Sequence, residues 1–222
     1  MKKIILSLVL CFGILISAKA QSSILEKGQN GFGINGGFST NEDVSGFSGG
    51  VGYSISGVFD LGISVGRFGY DQPFLGEDLN TTTISPFVSY IIVKQDEQIP
   101  VSFGLNGLYQ RQIYSNRVLS DYDIDLTGNF FTIGAWLYSM FEYSEAMKIQ
   151  PEIGFNYTTG EFKFEDPTES DTESSNNTRF ALGLSLIFQT SPSNIFIVTP
   201  SIGFGDDVTT FGISLNLVFP QN

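Results

Sequence analysis

From position 30 onwards the residues alternate between apolar and small polar side chains. In the last run, FGISLNLVF (211–219), Phe, Ile and Leu occupy every second position, and Gly, Ser and Asn lie between them. A period of two is typical of a β-strand. Because no segment sustains a period of 3.6, the sequence predicts an all-β chain of ten strands. The predicted strands are 30–40, 46–57, 60–70, 82–93, 100–114, 126–141, 148–163, 179–189, 195–205 and 209–219.

The connections between these runs differ in length. Those after the odd-numbered strands are 41–45, 71–81, 115–125, 164–178 and 206–208, and those after the even-numbered strands are 58–59, 94–99, 142–147 and 190–194. All the long polar connections therefore fall at one end. This favours a closed up-and-down antiparallel barrel. Eight strands is the alternative, if the first pair or the last hairpin is not part of the barrel.

The non-apolar faces of the predicted strands carry very little charge. They consist mainly of Gly, Ser, Asn, Thr and Gln, whereas a water-facing surface is about 25–35% charged. We therefore expect the apolar face to point outward into lipid and the small polar face to line the lumen. Only a closed barrel pairs every backbone group of such strands. A secreted β-sandwich, or a lipocalin-type barrel with its apolar face inward, is the soluble alternative.

The first twenty residues have the pattern of a secretory signal peptide. MKK is a basic start, IILSLVLCFGILIS is an apolar core, and AKA (18–20) is a small-x-small cleavage site. We expect a signal peptide over 1–20, a short periplasmic tail over 21–29 and a barrel domain over 30–222. Cys11, the single cysteine, lies inside the apolar core, so a lipoprotein signal is the less favoured alternative. Removal of the signal peptide would also remove Cys11 and would leave no cysteine for a disulfide.

Four runs carry a family resemblance: ISPFVSY (84–90), IQPEIGFNY (149–157), VTPSIGFG (198–205) and FGISLNLVF (211–219). With them the chain resembles the small outer-membrane β-barrel proteins of Gram-negative bacteria, the porin-like or OmpA-type transmembrane domain. The resemblance implies the cell outer membrane as location. It implies outer-membrane lipid and lipopolysaccharide as surroundings, and the barrel-insertion machinery as a partner during assembly. In that family the last strand usually ends in an aromatic residue; here Phe219 is followed by PQN.

Charge and missing residue types exclude some functions. The formal net charge is −12, which argues against nucleic-acid binding, because that requires cationic groups on the protein. The chain has no histidine. The barrel enzymes of the family that act as proteases, phospholipases, acyltransferases or deacylases use one as general acid or base. We therefore expect no enzyme and no cofactor.

The long connections are acidic and form a predicted outer-loop surface. Its acidic residues are Asp121, Asp123, Asp125, Glu165, Asp166, Glu169, Asp171 and Glu173. DYDID (121–125) begins like a calcium loop, but Leu126 stands where that loop needs Gly. We expect a solubilising surface that divalent cations accompany, with no dedicated metal site.

Three further charged residues are candidates. Arg67 and Arg111 fall in the lipid-facing register near the outer strand ends, where they predict contact with lipopolysaccharide phosphates or simple rim placement. Glu152 falls in the lumenal register and predicts a lumen charge or a buried structural partner. The sequence thus predicts a structural or small-pore role with weak cation preference. The alternative is a surface binding or adhesion protein with a closed lumen and acidic loops.

Overall fold

A computed structural model describes residues 21–74, 76–191, 193–205 and 208–221, so the predicted signal peptide lies outside the described residues. The strands are β1 (Asn30–Thr40), β2 (Val44–Ile55), β3 (Phe59–Phe74), β4 (Glu77–Val93), β5 (Ser102–Ser115), β6 (Asp125–Tyr138), β7 (Phe141–Ser144), β8 (Met147–Glu165), β9 (Ser170–Ser191), β10 (Asn194–Gly205) and β11 (Val208–Gln221). A 3-10 turn covers Gln21–Ser23, and a short helix, α1, covers Arg117–Asp121. Across the described ranges no helix is long and apolar enough to cross a membrane.

The strands form one closed antiparallel barrel in chain order. The seam is the β1–β11 pair, in which Phe32 lies opposite Phe219. At the far side β6 and β7 both pair with β8, and the break between them is Ser139–Met140. Since β6 and β7 together occupy one position beside β8, the barrel has ten strands. This confirms the predicted closed barrel and its strand number.

The two faces of the wall have opposite character. Along β3, Ile63 and Val65 are 44% and 51% exposed on the outside, whereas Ser64 between them is 2% exposed and faces the interior. The same alternation holds on β4 and β5. The predicted inversion is thus confirmed: the apolar side chains form the exterior, and the small polar side chains face inward.

The strands are longer than predicted at one end, which corrects two of the predicted loops. Most of 71–81 belongs to β3 and β4, and most of 164–178 belongs to β8 and β9, whose pairing continues to Glu165 opposite Ser170. Asp125, Glu165, Asp171 and Glu173 therefore lie in strands and not in loops. Backbone pairing sustains these strands, but polar residues on both faces remove the period-two pattern that marks a strand in the sequence.

We call the end of the barrel where β1 begins and β11 ends the terminal end, and the opposite end the distal end. The connections at the terminal end are 56–58, 94–101, 145–146 and 192–193, besides the 139–140 break. Those at the distal end are 41–43, 75–76, 116–124, 166–169 and 206–207.

Candidate functional site

Residues 21–29, which we call the plug, fold into the terminal end of the barrel. Ser22 is 0% exposed and Leu25 is 1% exposed. Leu25 packs in one cluster with the inward-facing Ile187, Ile197 and Val218. The plug therefore fills the lumen at this end with its own small apolar core. The sequence suggested only a short tail here.

Asp60 anchors the plug to the barrel wall. It is the second residue of β3 and is buried. Its carboxylate accepts hydrogen bonds from the Ser22 backbone N–H at 3.0 Å and from the Ser22 hydroxyl at 2.7 Å, and a third from the Ser89 hydroxyl on β4 at 3.0 Å. Hydrogen bonds to an ionised group are stronger than neutral ones. One carboxylate thus joins the plug, β3 and β4.

Lys94 binds the plug from the connection after β4. Its ammonium donates to the Ser22 carbonyl at 2.9 Å, to the Gly57 carbonyl at 2.8 Å and to the Leu25 carbonyl. Burial lowers the pKa of Lys94 to about 8, although the carboxylates of Asp60 and Glu26 act in the opposite direction. Lys94 thus holds two turns of backbone together across the terminal opening.

Gly57 allows the plug to approach the β2–β3 turn. Its φ is +59°, a left-handed conformation that favours glycine, and a Cβ there would overlap the Glu26 carbonyl oxygen. The Gly28 N–H donates to the Ser56 carbonyl at 2.8 Å in the same turn. The approach of the Glu26 carbonyl therefore requires a turn with no side chain at position 57.

The middle of the lumen has a polar lining in which side chains of adjacent strands form hydrogen bonds. The hydroxyls of Thr132 and Thr158 are 2.8 Å apart, and those of Ser185 and Thr199 are 3.0 Å apart. Glu152 lies in this interior, as predicted, with its Oε2 3.5 Å from Nε2 of Gln150. Its role as a lumen charge stays a prediction.

Nearer the distal end, Arg179 points inward and is 4% exposed. Its guanidinium donates to the Thr210 hydroxyl at 3.2 Å, which links β9 to β11 behind β10. The sequence did not single out this residue. The feature of the sequence that could have identified it is a single charged residue in an otherwise uncharged stretch of strand.

An aromatic and aliphatic group, the distal cluster, fills the lumen at the other end. Its buried members are Val44, Phe68, Tyr70, Leu79, Tyr114, Leu119, Leu126, Phe130 and Phe162. The rings of Phe130 and Phe162 pack edge to face with their centroids 4.9 Å apart, and the ring centroid of Tyr114 lies 6.1 Å from that of Phe162. Apart from Leu119 of α1, these side chains come from strands between β2 and β8 and pack against one another inside the barrel.

The helix α1 closes the distal cluster from above. Asn116 is its N-cap, and its side-chain oxygen accepts a hydrogen bond from the Leu119 N–H at 2.8 Å. This cap fixes the short helix so that Leu119 is 3% exposed beneath it. The connection 115–125, predicted as a loop, therefore contributes Leu119, which covers the distal cluster.

Arg67 and Arg111 lie on the outer face of β3 and β5, with β4 between them. Arg67 is opposite Phe47 and Thr82, and Arg111 is opposite Ile84 and Asn129. On β3 the outer face beyond Arg67 is Gly69 and Asp71, whereas on β5 the exposed Ile113 lies beyond Arg111. Arg67 thus stands at the distal border of the apolar band, and Arg111 lies just within it. Contact with lipopolysaccharide phosphates stays a prediction.

The predicted acidic residues are placed around the distal rim. Asp121 lies 3.5 Å from the Arg117 guanidinium, and Glu165 lies 2.7 Å from the Lys163 ammonium. Asp166 closes the β8–β9 turn: the Thr168 hydroxyl and the backbone N–H groups of Thr168 and Glu169 hold the pKa of Asp166 below its usual range. Within the described parts of the chain, no group of three or more His, Cys, Asp or Glu residues is arranged to hold a metal ion.

The distal rim is uneven in height. The β8–β9 hairpin extends to Glu165 and Ser170, whereas the pairing of β9 with β10 stops at Phe180 opposite Phe204. On the outer face of the hairpin Tyr157 and Phe180 are followed by Thr159 and Thr178. The outer face of the hairpin thus continues beyond the apolar band with polar residues, while its inner face still carries Phe162 and Phe164 of β8 against the distal cluster.

Ten closed strands, an apolar exterior and a polar interior define an outer-membrane type of β-barrel. No protein-family model and no curated protein sequence matches the chain.

Solved structures do match it. The translocator domain of the autotransporter NalP from Neisseria meningitidis matches with a TM-score of 0.54 and 11% identity, over 88% of this chain and 89% of that chain. The β domain of the Bordetella autotransporter BrkA matches with a TM-score of 0.50 and 9% identity, over 87% and 99%. Ail, the attachment invasion locus protein of Yersinia pestis, matches with a TM-score of 0.43 and 15% identity, over 89% and 100%. At these identities the likeness is one of fold, shared with outer-membrane barrels.

Proposed function

We propose that this protein is a surface-binding barrel of the outer membrane, in which a closed barrel anchors an acidic distal rim. The observation that carries the proposal is the filling of the lumen at both ends. The plug occupies the terminal end, and the distal cluster occupies the other. A barrel filled in this way is suited to holding a surface structure in place.

The β8–β9 hairpin is the main surface structure. It rises above the apolar band on both strands, and its outer residues there are Thr, Glu, Lys, Ser and Asn. Placed with its apolar band in the hydrocarbon, the barrel holds this hairpin in water at the distal side. With the short connections assigned to the periplasm, the hairpin faces the cell exterior.

The charge of the rim indicates the chemistry of the partner. The hairpin from 161 to 173 carries Glu161, Glu165, Asp166, Glu169, Asp171 and Glu173 against Lys163. Such a surface attracts cationic partners and repels anionic ones. We infer a partner with a basic surface.

A small pore is the second candidate, because the middle of the lumen is polar. Buried hydroxyls of Ser64, Ser85 and Thr83 find no hydrogen-bond partner among the described protein atoms, and water satisfies such groups in many proteins. Conduction would require both the plug and the distal cluster to move out of the path through the lumen. The closed lumen therefore favours the binding role.

Planar-bilayer recording and a binding assay test the proposal together. We expect no steady conductance from the refolded full chain, and binding of a folded basic protein such as cytochrome c to the chain in detergent micelles. A truncated variant tests the hairpin. It joins Phe162 to Glu173, which are register partners, through an Asn-Gly turn. We expect it to lose the binding.

A full-length variant is the matched control for charge. It carries Glu165→Gln, Glu169→Gln and Asp171→Asn, and we expect it to bind more weakly while keeping the hairpin. Steady conductance of the wild type, or equal cytochrome c binding by wild type and truncated variant, would contradict the proposal.

A further inference from the structure

The free edge of β9 is a feature that the binding role leaves unexplained. From Ser170 to Asn177 this strand pairs with β8 on one side. Along its other side the structure places no backbone partner within the described residues, because β10 joins β9 only from Phe180. At about 3.3 Å per residue this edge is roughly 26 Å long.

The other side of the hairpin has no such edge. β8 is paired with β6 up to Asp125 opposite Glu165. The equivalent free edges of β3 and β4 are short, since β3 passes β2 only over 71–74 and β4 passes β5 only over 77–79. The β9 edge is thus long, exposed and confined to one place on the rim.

The direction of the backbone groups on this edge follows from two contacts. A Cβ at Gly205 of β10 would overlap the Thr178 carbonyl oxygen, so that carbonyl points toward β10. The Thr172 N–H donates to the Asp171 carboxylate at 2.9 Å and is therefore turned away from β8. In an antiparallel strand the two backbone groups of a residue point to one side, and this side alternates. Thr172, Ser174 and Asn176 thus present their N–H and C=O groups to the free edge.

We propose that this edge binds an extended, cationic segment of a partner protein by β-strand addition, which rests on the proposed surface-binding function. Strand addition supplies backbone hydrogen bonds to Ser174 and Asn176, and flanking side chains supply selectivity. Asp171 and Glu173 lie on the edge strand itself, Asp166 and Glu169 lie in its turn, and residues 170–177 contain no basic side chain. Lys or Arg on the added strand would stand opposite carboxylates.

A second copy of the chain is the less suitable occupant. Pairing two β9 edges would bring Asp171 and Glu173 of one copy beside those of the other, and like charges on adjacent strands are destabilising. Residues 170–177 contain no Lys or Pro, which often guard exposed strands against pairing, so a strand of complementary charge can still add to this edge. The Asp171 carboxylate covers the Thr172 N–H.

The test uses the refolded full chain in detergent and a capped synthetic peptide of eight alternating Lys and Val residues as the probe. Ser174→Pro removes one N–H from the free edge and leaves the bonds to β8 in place, whereas Ser174→Ala keeps that N–H. Proline is tolerated on strand edges. We expect Ser174→Pro to weaken peptide binding by about tenfold, because the complex loses one backbone hydrogen bond at the edge. Ser174→Ala should bind the peptide like wild type.

N-methylated peptides give a second readout without changing the protein. Methylation of one alternate set of peptide N–H groups would abolish binding, and methylation of the other set would preserve it, since only one set faces the edge. Equal peptide binding by Ser174→Pro and wild type, equal effects of the two methylated peptides, or no binding of the peptide to wild type would each overturn strand addition. The folded cytochrome c offers no free strand. If the peptide gives one of these results while cytochrome c still binds in a hairpin-dependent way, the proposed function stands and only this inference fails.

Discussion

At the scale of single residues, the terminal end depends on a few polar contacts made by buried groups. Asp60 accepts three hydrogen bonds that reach it from the plug and from β4, and Lys94 donates three to backbone carbonyls. Removing one partner of such contacts leaves the others buried and unsatisfied. The plug is therefore sensitive to single substitutions.

Asp60→Ala is expected to release the plug. The Ser22 N–H and hydroxyl would lose their acceptor. Hydrogen exchange of residues 21–29 should therefore accelerate by about 10- to 100-fold, the factor that corresponds to the free energy of a lost hydrogen bond to a charged group. Mass spectrometry of the exchanged peptides measures this. Asp78→Ala, at an exposed carboxylate of β4, is the control and should leave exchange unchanged. Equal protection in both variants would show that Asp60 does not hold the plug.

Lys94 predicts a pH dependence. Its pKa is about 8 in the folded chain and 10.5 ordinarily. Between these values the unfolded chain holds more protons, so the contribution of Lys94 to the free energy of unfolding rises with pH across this window and is constant below and above it. The measurement is the difference between wild type and Lys94→Met in denaturant unfolding from pH 7 to pH 10.5. Parallel pH profiles of the two proteins would refute the shift.

At the scale of elements, the strands follow from the sequence and their distal ends do not. The period-two alternation of β3, β8 and β11 placed most strand starts and ends within a few residues. In SDTESSNN (170–177) the side chains on both faces of the strand are polar, so no alternation marks it in the sequence. Alternation reports a difference between two environments, and it disappears where both sides are water.

The depth of the lipid-facing band can be tested along β6. Ile133 and Thr127 share its outer face, with Ile133 within the apolar stretch and Thr127 beyond its distal border. We expect Ile133→Arg to lower the free energy of unfolding in lipid vesicles by about 2–4 kcal/mol, and Thr127→Arg by about 0–1 kcal/mol. Equal costs at both positions would contradict the placement of the band.

Packing in the distal cluster explains one glycine on β8. A Cβ on Gly160 would overlap the Asn129 carbonyl oxygen and lie 2.5 Å from the Phe130 ring. Gly160 thus provides the space in which the ring of Phe130, its register partner on β6, packs inside the barrel. The sequence shows a Gly in the inward register, but it does not show which ring occupies the space.

At the scale of the whole molecule, the candidate site was predicted only in part. Register alone predicted the outward-facing positions of Arg67 and Arg111, whereas four acidic residues expected in loops, Asp125, Glu165, Asp171 and Glu173, lie in strands. The plug was not foreseen, because the contact between Ser22 and Asp60 joins positions 38 apart in the chain. Nor was the uneven rim, since it depends on where β10 stops beside β9, and no periodicity encodes that.

Closure of the lumen predicts the reactivity of cysteines introduced into the barrel. Ser85→Cys places a thiol on the inner face, where Ser85 is 0% exposed, and Thr159→Cys places one on the exposed outer face of β8 above the band. A water-soluble maleimide should label Thr159→Cys rapidly and Ser85→Cys at least about 100-fold more slowly, as burial of a thiol requires. Comparable labelling rates would indicate an open, hydrated channel and would favour the pore.

The position of the plug before β1 has a consequence for the route by which the barrel forms. The polar groups that hold it, Asp60, Ser56 and Lys94, belong to the first four strands and their connections, whereas its apolar partners Ile187, Ile197 and Val218 lie on β9 to β11. The seam between β1 and β11 joins the two ends of the chain, and contacts between distant positions form late. The plug can therefore settle on an open sheet of β1–β4 before the seam closes. The segment then never has to thread into a finished barrel, and the last strands wrap around an interior that is already occupied.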